Sequence, residues 1–70
     1  MEATEIFQLI VKADERLKYA SASKGDVSDA RVGQARAFLE QARDEARSIG
    51  NEALVEQAER RLRDLEGRSG

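Results

Sequence analysis

Two apolar patterns with a helical period occupy residues 35–65, ARAFLEQARDEARSIGNEALVEQAERRLRDL, and they meet at Gly50-Asn51. Apolar side chains recur every three or four residues on both sides of this joint. The seam positions are Val32, Ala35, Leu39, Ala42, Ala46 and Ile49 before it, and Val55, Ala58, Leu62 and Leu65 after it. Gly50 suits the left-handed end of one helix, and Asn51 suits the cap of the next. So short a turn predicts a tight antiparallel αα-hairpin and an all-α fold.

A third helical pattern precedes the hairpin, and we expect Thr4 to cap it. Its seam positions are Ala3, Ile6, Ile10, Ala13, Leu17 and Ala20. Residues 20–27, ASASKGDV, contain turn-forming residues, including Gly25, and predict a loop from which Asp26 or Ser28 starts the next helix. We therefore predict one domain, residues 1–70, built as a three-helix bundle. The predicted helices span about 4–21, 28–49 and 51–66, followed by a polar tail at 67–70 that should fray.

Alanine dominates the apolar composition of this short chain. Eleven of the 28 apolar residues are Ala, and at least six of these fall on seam positions where leucine would ordinarily lie: Ala13, Ala20, Ala35, Ala42, Ala46 and Ala58. Small seam residues at this heptad spacing, which is also typical of coiled coils, predict closely approaching helix axes. A core so poor in large side chains needs further support. Since the chain has no Cys and no His, disulfides and a structural zinc are excluded, which leaves tight helix packing or self-association.

The residue types that most often perform catalysis are missing. Without His or Cys, only carboxylates remain as candidate acids, bases or metal ligands. Their clusters, Asp14-Glu15, Asp44-Glu45 and Glu56/Glu59, lie on polar faces within reach of Arg or Lys at helical spacing, which is typical of surface ion pairs. The expected pairs are Glu40 with Arg36 and Arg43, Asp44 with Arg47, Glu56 with Arg60, and Glu59 with Arg63. The sequence predicts a protein that is not an enzyme and has no cofactor and no metal.

Nucleic-acid binding is the alternative function, and it would use Arg60, Arg61 and Arg63. Arg binds phosphate and guanine edges well. Four acidic residues interleave this cluster, Glu56, Glu59, Asp64 and Glu66, and the net charge of the chain is −2. The longest apolar run, Ile6 to Val11, is far too short for a membrane span, and it does not follow a basic region of the kind that begins a signal peptide. We expect no membrane association and a cytoplasmic location.

The strongest candidate site is a widening of the apolar face of the first helix. On a helical wheel Phe7 and Val11 lie about 100–140° from Ile6, too far round to be covered by the rest of the bundle. We predict a protein-interaction or self-association module whose contact involves Phe7, Ile10 and Val11. Its partner is another protein or a second copy in a homo-oligomer.

Residues 35–65 also resemble a tetratricopeptide-type helical hairpin. The shared features are two antiparallel helices, a glycine at the turn and alanines where the helices touch. The resemblance implies a scaffold that binds a peptide or a protein, without assigning binding residues.

Overall fold

The structure is a computed structural model that describes the backbone of residues 1–22 and 27–69 and the side chains of residues 1–18 and 30–66. These residues form helices α1 (Ala3–Ala22), α2 (Val27–Ser48) and α3 (Glu52–Ser69), with no strand among them. The all-α prediction is confirmed, and each boundary lies within three residues of the predicted one. The centre of the predicted loop, with Gly25 and Asp26, lies outside the described residues.

The start of α1 differs from the prediction, because its cap is Glu2 and not Thr4. The Glu2 carbonyl accepts the first helical bond from the Ile6 amide at 3.0 Å. The Glu2 amide donates to Glu5 Oε1 at 3.2 Å, as in one half of a capping box. Thr4 therefore lies inside the first turn of the helix, where its side chain is exposed.

The turn between α2 and α3 confirms the roles of Gly50 and Asn51. Gly50 has φ +70°, and its amide donates to the Arg47 carbonyl at 3.1 Å. The Asn51 amide donates to the Ala46 carbonyl at 2.9 Å, which completes a Schellman motif. Asn51 Oδ1 in turn accepts the Leu54 amide at 3.2 Å and caps α3. A single pair of residues thus ends one helix and begins the next.

Four details of the predicted pattern are wrong. Ala3 is the first residue of α1, but its side chain is exposed and does not belong to the seam. Ile49 is not a seam residue: its amide still donates to the Glu45 carbonyl at 3.2 Å, but it follows the last helical residue of α2 and is 43% exposed. Ser28 is the second residue of α2, so it is not the cap. Helix α3 continues past residue 66 to Ser69, because a late glycine costs only about 1 kcal/mol and no proline stops the helix.

The core is one cluster of nine buried side chains among the described residues, and alanine supplies five of them. The large ones are Ile6, Ile10, Leu39 and Leu65; the small ones are Ala13, Ala35, Ala42, Ala46 and Ala58. Burial of these five seam alanines is confirmed, while the side chain of Ala20 lies outside the described set. A ring of half-buried residues packs around the cluster: Leu9, Leu17, Val32, Phe38, Leu54, Val55 and Leu62.

Helix α2 lies between the other two and packs extensively against both. Helices α1 and α3 approach each other only over a short stretch. The molecule measures 38 × 21 × 13 Å, and its radius of gyration is 12.1 Å, against about 11 Å for a compact domain of this length. The side on which α1 and α3 meet is therefore the least filled part of the fold.

Candidate interaction surface

The exposed apolar surface on α1 centres on Phe7 and Val11. Phe7 is 54% exposed and Val11 is 36% exposed, as the sequence predicted for positions so far from the seam. With 100° per residue, Thr4, Asp14 and Lys18 fall within about 60° of Phe7 on the same side of the helix. We call these five residues, Thr4, Phe7, Val11, Asp14 and Lys18, the Phe7 face. It is an apolar centre with polar and charged ends.

An ion pair shows which side of the fold the Phe7 face lies on. Arg61 of α3 donates from Nε to Asp14 Oδ1 at 2.9 Å, so Asp14 points toward α3. Phe7 lies only about 20° from Asp14 on the wheel of α1 and therefore lies on the same side. Because α1 and α3 make little contact with each other, α3 leaves Phe7 uncovered.

The third residue predicted for the contact, Ile10, lies beneath this surface. It is 1% exposed and belongs to the central cluster with Ile6 and Leu39. Since Ile10 sits between Phe7 and Val11 in sequence and is held in the core, it fixes the position of the helical turn that presents both. Phe7 and Val11 are the members of the predicted trio that a partner can touch directly.

Two other large apolar side chains are exposed among the described residues, and both lie at one end of the molecule. Met1 precedes α1 and Ile49 follows α2, and they are 44% and 43% exposed. They belong to chain ends and turns, where exposed apolar residues are common. Phe7 and Val11 differ because they lie on a regular helix, one turn apart, and form a continuous patch.

The arginines proposed for nucleic acid do not form one surface. Arg60 pairs with Glu56 at 3.4 Å, while Arg61 pairs with Asp14 and also donates to Gln57 Oε1 at 2.7 Å. On the wheel of α3, Arg61 lies about 160° from Arg63, which lines the opposite groove beside α2. The structure thus separates Arg61 from Arg63 and places carboxylates beside Arg60 and Arg61.

A groove with a volume of about 430 Å³ lies between the end of α2 and α3. Its walls carry both signs of charge, and Arg47 Nη2 lies 3.7 Å from Glu59 Oε1 across it. The other lining residues are Gly50, Glu52, Val55, Glu56 and Arg63. Three glutamates and two arginines line it, so the charges nearly cancel and the groove favours no ligand of one charge sign.

Two ion pairs of the described residues join different helices, Arg47–Glu59 and Arg61–Asp14. The sequence predicted pairs within helices, and the Glu56–Arg60 pair is confirmed. Arg43, expected to pair with Glu40, pairs with its neighbour Asp44 at 3.1 Å. No group of three acidic side chains suited to a metal ion occurs in the described ranges.

Comparisons with known proteins found no match among family models, curated proteins or solved structures. The likeness of residues 35–65 to a tetratricopeptide hairpin therefore rests on the residues alone. Among the described residues, no helix is both long and apolar enough to cross a bilayer.

Proposed function

We propose that this chain is a small non-enzymatic helical module that binds another protein through the Phe7 face of α1. The observation that carries the proposal is the exposure of Phe7, at 54%, beside Val11 on a regular helix. Aromatic side chains contribute disproportionately to binding because they bury a large area with few rotatable bonds. The three helices provide a scaffold that presents this patch.

The shape of the protein supports the same proposal. Its accessible surface is 4800 Å², whereas a monomer of 7.8 kDa typically exposes about 4,400 Å². The excess agrees with the open side between α1 and α3, which borders the Phe7 face. A partner seated there would bury apolar surface that the chain's own helices leave in water.

The finer arrangement of a closed three-helix bundle is also a proposal. Burial of five seam alanines supports close approach of α2 to its neighbours, and the Arg61–Asp14 ion pair supports closure between α1 and α3. In this arrangement the partner adds a further layer beside α1.

Affinity capture with the full chain tests the proposed function. We expect the wild type to retain at least one protein that Phe7→Glu retains at least about tenfold less, because a charge replaces the central aromatic contact. Gln8→Glu is the matched control, since it adds the same charge at the next, exposed position of α1. Equal retention by the wild type and Phe7→Glu, with both folded by circular dichroism, would overturn the proposal.

A further inference from the structure

We infer that the occupant of the Phe7 face is a second copy of this chain, docked with the two α1 helices antiparallel. This inference rests on the proposed function and deepens it by naming the partner. It follows from the order of side chains along the face, which is complementary to itself when one helix is reversed.

The apolar centre of the face fits its own reversed copy. A two-fold axis at the level of residue 9 places Phe7 of one copy opposite Val11 of the other, and the reverse. The larger ring then lies beside the smaller side chain at both contacts, so neither two rings nor two small side chains face each other. An apolar pair that is exposed on one chain becomes a four-residue cluster between two chains.

The charges of the face select the antiparallel direction. In that arrangement Thr4 of one copy faces Asp14 of the other, so a carboxylate lies beside the positively polarised first turn of a helix. The Asp14 carboxylate, which already accepts Arg61 through Oδ1, has further acceptor positions for the Thr4 hydroxyl. A parallel pairing would instead place Asp14 against Asp14 and Lys18 against Lys18. Like charges in such positions are repulsive.

The first test is the mass of the purified chain by sedimentation equilibrium. Between about 10 µM and about 1 mM, we expect the average mass to rise from 7.8 kDa toward twice that value. Phe7→Glu should raise the dissociation constant at least about tenfold, while Gln8→Glu should leave it within about twofold. A mass of 7.8 kDa throughout this range would overturn the inference.

Two substitutions at Thr4 separate docking from folding. Thr4→Asp adds a negative charge in the first turn, which stabilises α1 within one chain but faces Asp14 of the second copy. Thr4→Lys places a positive charge in the same turn, which destabilises α1 within one chain but attracts Asp14 of the second copy. We expect Thr4→Lys to dimerise roughly fivefold more tightly than Thr4→Asp, although its monomer is the less stable one. The reverse order of dimer affinities would contradict the antiparallel arrangement.

Orientation can be measured directly because the chain has no cysteine of its own. A nitroxide attached at Lys18→Cys should give a separation of about 27 Å along the helix axes in an antiparallel dimer, from 18 residues of helical rise. A parallel dimer would bring the two labels to about 10 Å, the distance between packed helices. The shorter distance would overturn the inference.

The outcomes distinguish this inference from the function on which it rests. If the purified chain stays monomeric while Phe7→Glu still abolishes capture of a different protein, the inference of a second copy is wrong. The proposal of a protein-interaction module is then supported. If the chain is monomeric and capture does not depend on Phe7, both fail.

Discussion

Gly50 reverses the chain between α2 and α3, and its backbone requires glycine. Its φ of +70° is a conformation that side chains disfavour, although a methyl group there would meet nothing within 4 Å. Gly33 lies in the middle of α2 with equally free space and no positive φ. The two glycines thus differ in backbone conformation and not in steric room.

Alanine substitutions at these glycines should have opposite effects on the free energy of unfolding. Gly50→Ala should lower it by about 1 kcal/mol, because the left-handed strain exceeds the gain from a stiffer unfolded chain. Gly33→Ala should raise it by about 0.5–1 kcal/mol, since alanine favours the helix. Urea unfolding followed by circular dichroism measures both. Effects of the same sign would contradict a left-handed backbone at Gly50 and a helical one at Gly33.

The sequence predicted a helix end correctly where only one residue nearby suited the role. Gly50 and Asn51 had no competitors, and both predicted roles are confirmed by the hydrogen bonds around them. Near the N-terminus, cap preferences favoured Thr4. The pairing of the Glu2 amide with Glu5 decides the start two residues earlier, a local contact that cap preferences do not rank.

At the scale of the elements, the alanines of α2 set how closely its neighbours approach. Ala35, Ala42 and Ala46 are all fully buried along this central helix. The spacing of apolar residues predicted this, because the alanines recur at helical spacing on one seam with Val32 and Leu39. Packing between α1 and α3 could not be predicted in the same way, since the pattern of one helix does not say which neighbour lies beside it.

Enlarging a seam alanine should destabilise the protein even though it adds apolar surface. We expect Ala42→Leu to lower the free energy of unfolding by about 1–3 kcal/mol, because the cluster around Ala42 has to move apart. Ala37→Leu, on an exposed position of the same helix, should change it by less than about 0.5 kcal/mol. A stabilising Ala42→Leu, measured by urea unfolding, would show that the helices do not pack closely there.

The ion pair between α1 and α3 should contribute modestly to the free energy of unfolding. Asp14 and Arg61 lie 2.9 Å apart but their side chains are 47% and 27% exposed, so solvent screens the pair. A double-mutant cycle with Asp14→Ala and Arg61→Ala should give a coupling energy of about 0.2–1 kcal/mol that decreases as salt is added. A coupling near zero at low salt would mean that this ion pair does not join the two helices in solution.

At the scale of the whole molecule, the short and alanine-rich chain produces an elongated domain with a small core. Only four large side chains in the described part of the chain are fully buried. The sequence predicted a shortage of core and the exposure of Phe7 and Val11, because both follow from counting and from the helical wheel. It did not predict that α3 lies beside the Phe7 face, which depends on the Arg61–Asp14 contact between distant parts of the chain.

Fluorine NMR tests the central claim most directly, because the chain contains only two phenylalanines. Phe7 is exposed at the proposed contact, whereas Phe38 is half-buried beside Lys12, Glu15 and Arg16 on another side of α1. With both rings labelled as fluorophenylalanine, dilution from about 1 mM to about 10 µM should shift the Phe7 resonance and leave that of Phe38 in place. If Phe7 stays fixed across this range, or if Phe38 alone shifts, the Phe7 face is not where two copies meet.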